Sequence, residues 1–146
     1  MVATKGGIVV VFQVGVEGGK VVAKQEKKIK VGANTLSLAV RPGLAAVGRI
    51  DSHLVVLDLS SYESLSKVRY GKSMIQVVHF LEDPHHVALG FGNGQVLCVD
   101  WQEVIILAML SGHNKDISAI AHQGDFVAVG SFDGQLSLFS PGIKAI

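Results

Sequence analysis

Cysteine is almost missing from this chain of 146 residues. The one copy, Cys98, excludes an internal disulfide framework and a multi-cysteine zinc site. That usage points to a reducing compartment, cytosol or nucleus. Charge is sparse as well. Charged residues make up 17% of the chain and the net charge is +1, so no general attraction to nucleic acid follows. Long apolar runs are absent: Val104 to Leu110 spans seven residues, against the ~18 of a membrane span, and no membrane insertion is expected. The opening MVATKGG has one lysine and then only Ile8 to Phe12 before polar residues, too little for a signal peptide.

What remains has the composition of an ordered globular domain: 49% hydrophobic residues, with a mean hydropathy of +0.43. The 22 valines and 17 glycines suit short strands joined by tight turns. Apolar runs or alternation fall at 8–12, 36–40, 44–47, 54–59, 75–80, 87–89, 96–99, 117–121, 126–129 and 136–139. None continues at helical spacing for ten residues, so the spacing predicts an all-β sandwich, barrel or propeller.

Repetition narrows the choice. VALGFGNGQVLCVD (Val87–Asp100) lies over VAVGSFDGQLSLFS (Val127–Ser140) at an offset of 40, and AAVGRIDSHLVVLD (Ala45–Asp58) lies over the first at 42. A worn copy, VATKGGIVVVFQ (Val2–Gln13), matches Val129–Ser140. Gly6, Asp51, Asn93 and Asp133 hold the turns, and Gly32, Gly71 and Gly112 recur upstream of the last three. A period near forty with strand, tight turn and strand is the pattern of a propeller blade.

The last copy resembles the WD-repeat family. Gly112-His113 opens it, Ser131-Phe132-Asp133-Gly134 is its turn, and Phe139-Ser140 stands where Trp-Asp is usual. Gly71-Lys72 and Gly32-Ala33 lack the histidine. Leu57-Asp58 and Val99-Asp100 keep only the aspartate, and Phe12-Gln13 keeps neither. The resemblance implies an all-β β-propeller of WD-repeat type: a partial ring of three to four four-stranded blades, with segments at about 1–31, 32–70, 71–111 and 112–146. Lettered from the channel outward, the strands read b-c-d, a-b-c-d, a-b-c-d, a-b-c, fourteen in all. Such an arc is expected as a portion of a longer propeller, or as one that closes by a second copy of the chain or by a blade-completing subunit.

Ser131, His113 and Asp133 are the residue types of a hydrolytic triad. The family resemblance assigns them instead to a structural network, in which Asp133 accepts hydrogen bonds from His113 and Ser131, while Phe139 replaces the tryptophan without its N–H. With Asp133 bonded to both, the histidine would not stand between serine and carboxylate as a general base must. The expected number of catalytic residues is therefore none.

Other chemical signals also read structurally. Tyr70-Gly71-Lys72-Ser73 lacks the earlier glycine of a phosphate loop, since position 66 is Ser66, and MIQVVHF after it reads as a strand. Gly90 to Gly94 suit an Asn-Gly hairpin. His79, His85, His86 and His122 lack a carboxylate or cysteine at ligand spacing, so no metal or cofactor is expected. Lys20–Lys30, KVVAKQEKKIK, reads as an edge strand protected by lysines; a phosphate-binding strip is the alternative. Glu103–Leu110, EVIILAML, is expected as an outermost strand. Its apolar band either meets solvent or packs between blades.

The function implied is a non-enzymatic scaffold that binds proteins on the rim near the Gly-His and Asp-Gly turns. Arg49, Lys72, Phe91, Asn114, Lys115 and Phe132 are candidate contacts there, and Ile105, Ile106 and Leu107 are candidates on the outer band. A self-associating half-propeller and a serine hydrolase are the alternatives.

Overall fold

The computed structural model describes residues 2–3, 6–32 and 34–142, residues 2 and 3 by their backbone alone. Ala33 and part of the opening repeat, at Met1, Thr4 and Lys5, lie outside the described residues. Fourteen strands form: β1 Val2–Ala3, β2 Ile8–Glu17, β3 Lys20–Lys30, β4 Thr35–Arg41, β5 Leu44–Arg49, β6 His53–Asp58, β7 Ser64–Arg69, β8 Ile75–Phe80, β9 His86–Phe91, β10 Val96–Asp100, β11 Ile105–Leu110, β12 Ile117–Gln123, β13 Phe126–Ser131 and β14 Leu136–Phe139. No helix occurs among the described residues. The strands make four antiparallel sheets, ordered β1-β2-β3, β4-β5-β6-β7, β8-β9-β10-β11 and β12-β13-β14.

The repeat is visible in the hydrogen-bond register. Gly48 faces Leu54, Gly90 faces Val96 and Gly130 faces Leu136 in three successive sheets. In the first sheet Val2 faces Val10, the pairing that the sequence alignment places over Val129 and Ser137. Irregularities recur too. A bulge falls at Thr35/Ser37, Ile75/Val77 and Ile117/Ala119 between first and second strands. Another falls at Val11/Phe12, Val56/Leu57 and Cys98/Val99 before the outer strand. A bulge bends and twists its strand, so the repeated bulges curve each sheet and let it nest on its neighbour.

Side-chain alternation supplies the nesting surfaces. Ala45, Val47, Val55 and Leu57 face the first sheet, where Val9, Ile29 and Val31 meet them. The opposite face of the same sheet carries Ala46, Leu54 and Val56, against Val87, Leu89, Leu97 and Val99 of the third. Ala88, Val96 and Cys98 then face Val127 and Val129 of the fourth. Strands β9 and β10 are buried on both faces, hence their unbroken apolar sequences. Each fully buried Val or Leu contributes roughly 1.5–3 kcal/mol.

Glycine sets how closely the sheets approach. A Cβ on Gly90 would lie 2.5 Å from Ile117 Cγ2, and one on Gly48 would lie 2.6 Å from Ile75 Cγ2. The same position in the last sheet, Gly130, has only Ser118 Oγ at 3.6 Å and Ala119 Cβ at 4.0 Å. Among the described residues no further sheet lies over it.

Three expectations need adjustment. Strand β2 runs to Glu17, five residues beyond the expected end, and pairs with β3 as a long hairpin. The polar strand β7 is not among the apolar runs, because as an outer strand it carries mostly exposed side chains. Strand β11 starts at Ile105 rather than Glu103, since Val104 takes a left-handed backbone (φ 58°) in the preceding turn. Strand β3 is an exposed outer strand with Ile29 as its buried residue.

Gly90→Ala should therefore destabilise the protein by about 1–3 kcal/mol, because Ile117 must move. Gly130→Ala should stay within about 0.5 kcal/mol of the parent. Urea unfolding of the two variants checks the contrast.

Candidate functional site

The polar residues converge where the turn between β13 and β14 meets the loop between β11 and β12. Asp133 heads the turn, and Gly134 follows in the left-handed region (φ 82°). Gly7, Ser52 and Gly94 take the same left-handed backbone at the corresponding corners, with φ 76°, 70° and 88°. Asp51, Asn93 and Asp133 are thus equivalent corners, as the repeat predicts.

His113 is buried, and its Nδ1 lies 3.1 Å from Asp133 Oδ2. The same oxygen accepts the Asn114 N–H at 3.2 Å, and Oδ1 accepts the Gln135 N–H at 2.9 Å. Desolvation pushes the Asp133 carboxyl up, but the hydrogen bonds from Gln135, His113 and Asn114 together hold it below the usual aspartate value. With Nδ1 donating to the carboxylate, His113 Nε2 is left as an acceptor. The Ser137 hydroxyl, 2.8 Å away, donates to it.

Ser137 is the residue that sequence reasoning missed, and Ser131 must be corrected. Ser131 Oγ donates to the Lys115 and Asp116 carbonyls at 3.1 and 3.2 Å and accepts the Asp133 N–H at 3.3 Å; it does not bond the carboxylate. Its position at the end of β13 points it at the neighbouring loop backbone. Phe139 packs on the core between the third and fourth sheets. The available signal was alternation: Ser137 precedes Phe139 by two residues, on the same face of β14. Histidine therefore does stand between a serine and a carboxylate, but the serine is Ser137.

Other corners use different chemistry. Arg49 closes a bidentate pair with Asp51, Nε to Oδ1 at 2.9 Å and Nη2 to Oδ2, and also donates Nη1 to the Val31 carbonyl at 2.9 Å. That pairing is the main reason the Asp51 carboxyl sits low. The Asn93 side chain accepts the Gln95 N–H at 3.1 Å.

Two of the rim candidates are not surface residues. Arg49 is 6% exposed and committed to Asp51 and Val31, so it cannot anchor a partner. Phe91 is 0% exposed because its ring fills the space beside Gly71. Lys72, Asn114 and Lys115 are exposed, and Phe132 is 69% exposed. Phe132 N–H donates to the Asp116 carbonyl, which fixes the aromatic residue beside Asn114 and Lys115. On the outer band Ile105 and Ile106 are half-exposed, whereas Leu107 packs against the core.

The histidines divide by neighbour. His79 Nε2 and His122 Nδ1 are 2.6 Å apart across β8 and β12. Burial, then the nearby His122, lowers the His79 pKa. His85 meets the Trp101 ring edge-on, and His86 is buried near Asp83 and Asp100. No group of three or more potential metal ligands occurs among the described residues. Trp101 is buried and donates its ring N–H to the Pro84 carbonyl. Burial pushes the Cys98 thiol up to about 11.

No family model matches the chain, and no curated protein matches it. Solved structures do. The computationally designed Ika4 protein has a TM-score of 0.73 at 18% identity, over 92% of this chain and 85% of its own. The computationally designed Ika8 protein has a TM-score of 0.69 at 19% identity, over 88% of this chain. This chain spans 45% of the Ika8 chain. The likeness is one of fold.

Ser137→Ala should lower stability by roughly 1–3 kcal/mol by leaving His113 Nε2 unpaired, with Ser131→Ala leaving the His113–Asp133 bond intact in NMR spectra of the imidazole. Asp133 is depressed in the fold, so its contribution is full above the ordinary aspartate range and drains as pH falls through the lower folded value. The stability gap between parent and Asp133→Asn should close on acidification below about pH 4. For His79, protonation is disfavoured in the fold, so stability should fall as pH drops from above its ordinary value of about 6.5. His79→Gln should flatten that part of the Tm profile.

Proposed function

We propose that the chain is a non-enzymatic scaffold of WD-repeat, propeller type that binds protein partners on its corner rim. One observation carries this reading: the residues that look chemical are occupied in holding corners, while the exposed groups beside them sit on a rigid frame. Asp133, His113 and Ser137 bond one another. Phe132, Asn114 and Lys115 project from the same corner, and an exposed aromatic beside a cation is the chemistry of an interface anchor. Lys72 extends the surface at the preceding loop. The lone cysteine, buried and with a raised pKa, fits a reducing compartment, cytosol or nucleus. No cofactor enters this reading.

The order Ser137–His113–Asp133 supports a second reading, a serine hydrolase, because histidine is placed to take the serine proton. Against it, His113 is buried, and the pockets beside Asp83 and His86 and beside Phe126 and Leu138 are lined by other residues.

A photo-cross-linker in place of Phe132 should capture discrete proteins in cells from which the chain derives. Lys115→Ala should reduce that capture about tenfold, the effect of a lost anchor. Capture no greater than from a cross-linker at exposed Leu65 would remove the scaffold reading. A fluorophosphonate adduct on Ser137, abolished by His113→Ala, would establish the hydrolase instead.

A further inference from the structure

The outward face of the fourth sheet is a repeat copy of surfaces that are buried elsewhere in the molecule. Ala46, Leu54 and Val56 are at most 1% exposed under the third sheet, and Ala88, Val96 and Cys98 are at most 1% exposed under the fourth. The same register positions in the last sheet are Ala128, Leu136 and Leu138. Leu136 is 78% exposed and Leu138 67%. Phe126, 55% exposed, extends the patch, and exposed Ala119 and Ala121 of β12 border it. No charged side chain lies among these six, and an uncharged apolar face of this kind marks an interface.

The surface that mates with such a face inside the chain belongs to the other side of a sheet: Leu97 and Val99 in the third, Ser137 and Phe139 in the fourth. In the first sheet the corresponding positions are Val10 and Phe12. Strand β2 buries Val9 and packs Val11 towards the second sheet, so alternation turns Val10 and Phe12 outward. Val14, 65% exposed, continues that row. The chain therefore carries both halves of its own internal contact, one at each end.

We propose that this face docks a second copy of the chain head to tail, with Leu136 and Leu138 of one copy against Val10 and Phe12 of the other. The inference rests on the repeat register and not on the rim reading. The contact is heterologous, and two copies close it on themselves as a ring of eight sheets, within the range that blade-like sheets form. Contact runs over the middle and outer strands. The first sheet has no counterpart of β4 among the described residues, so the space over Gly130 stays open to solvent.

Sedimentation equilibrium on the whole chain tests this. The parent should be a two-copy assembly at micromolar concentration. Leu136→Lys/Leu138→Lys and, separately, Phe12→Lys should each weaken it at least about tenfold while circular dichroism shows the sheets intact. Mixing the two variants should restore dimer, because one intact contact remains. A monomeric parent, a Phe12→Lys variant that still dimerises fully, or a mixture that stays monomeric would each overturn the proposal. If Phe12→Lys does not fold, Val14→Lys takes its place in the same comparison. None of these outcomes touches capture through Phe132, so the two readings fail separately.

Discussion

Close approach of one sheet to the next is the constraint on which the rest depends. Where Gly48 and Gly90 lack a Cβ, Ile75 and Ile117 of the following sheet take up the space. The sheets then meet through alternating rows that are largely apolar. Valine and leucine at these rows are fully buried in the two middle sheets, which alone carry both kinds of repeated bulge. The corners follow from that stacking. Gly94 sits so close to the His113 backbone that only glycine fits, which presses that turn against the loop of the next sheet.

At these corners the turn side chains take the donors that the adjoining loops and strands present. Three solutions appear in one chain. Asp133 gathers a histidine and two backbone donors, Asp51 takes an arginine, and Asn93 makes a local turn bond by its side chain. The common element is the backbone shape; the side-chain network is free to vary around it. That freedom explains why a serine–histidine–aspartate relay can arise at a position whose structural task is to pin two loops.

Much of the fold could be read from the chain. The period near forty, with its Asp or Asn turn, marked the corners, and valine-rich alternation marked the strands they join. The polar outer strand β7 was not legible among the apolar runs, because its side chains face solvent on the edge of a sheet. Nor was the length of β2, whose exposed tip with Val14 and Val16 owes its shape to pairing with β3. At the site, His113 and Asp133 could be paired from sequence, yet Ser137 displaced Ser131. Which hydroxyl reaches Nε2 depends on the placement of β14 beside the loop, a long-range relation.

By itself, then, the sequence determined the local structure: strands, tight turns and their spacing, because these depend on neighbours a few residues apart. Burial was decided only by the tertiary structure. Arg49 and Phe91, polar and aromatic residues at a predicted surface, were drawn inside by Val31, Asp51 and Gly71. Leu136 and Leu138, chemically equal to their buried counterparts, are left outside because none of the other described sheets lies over them. A side chain's exposure is a property of what packs against it, and the chain order alone does not carry that information.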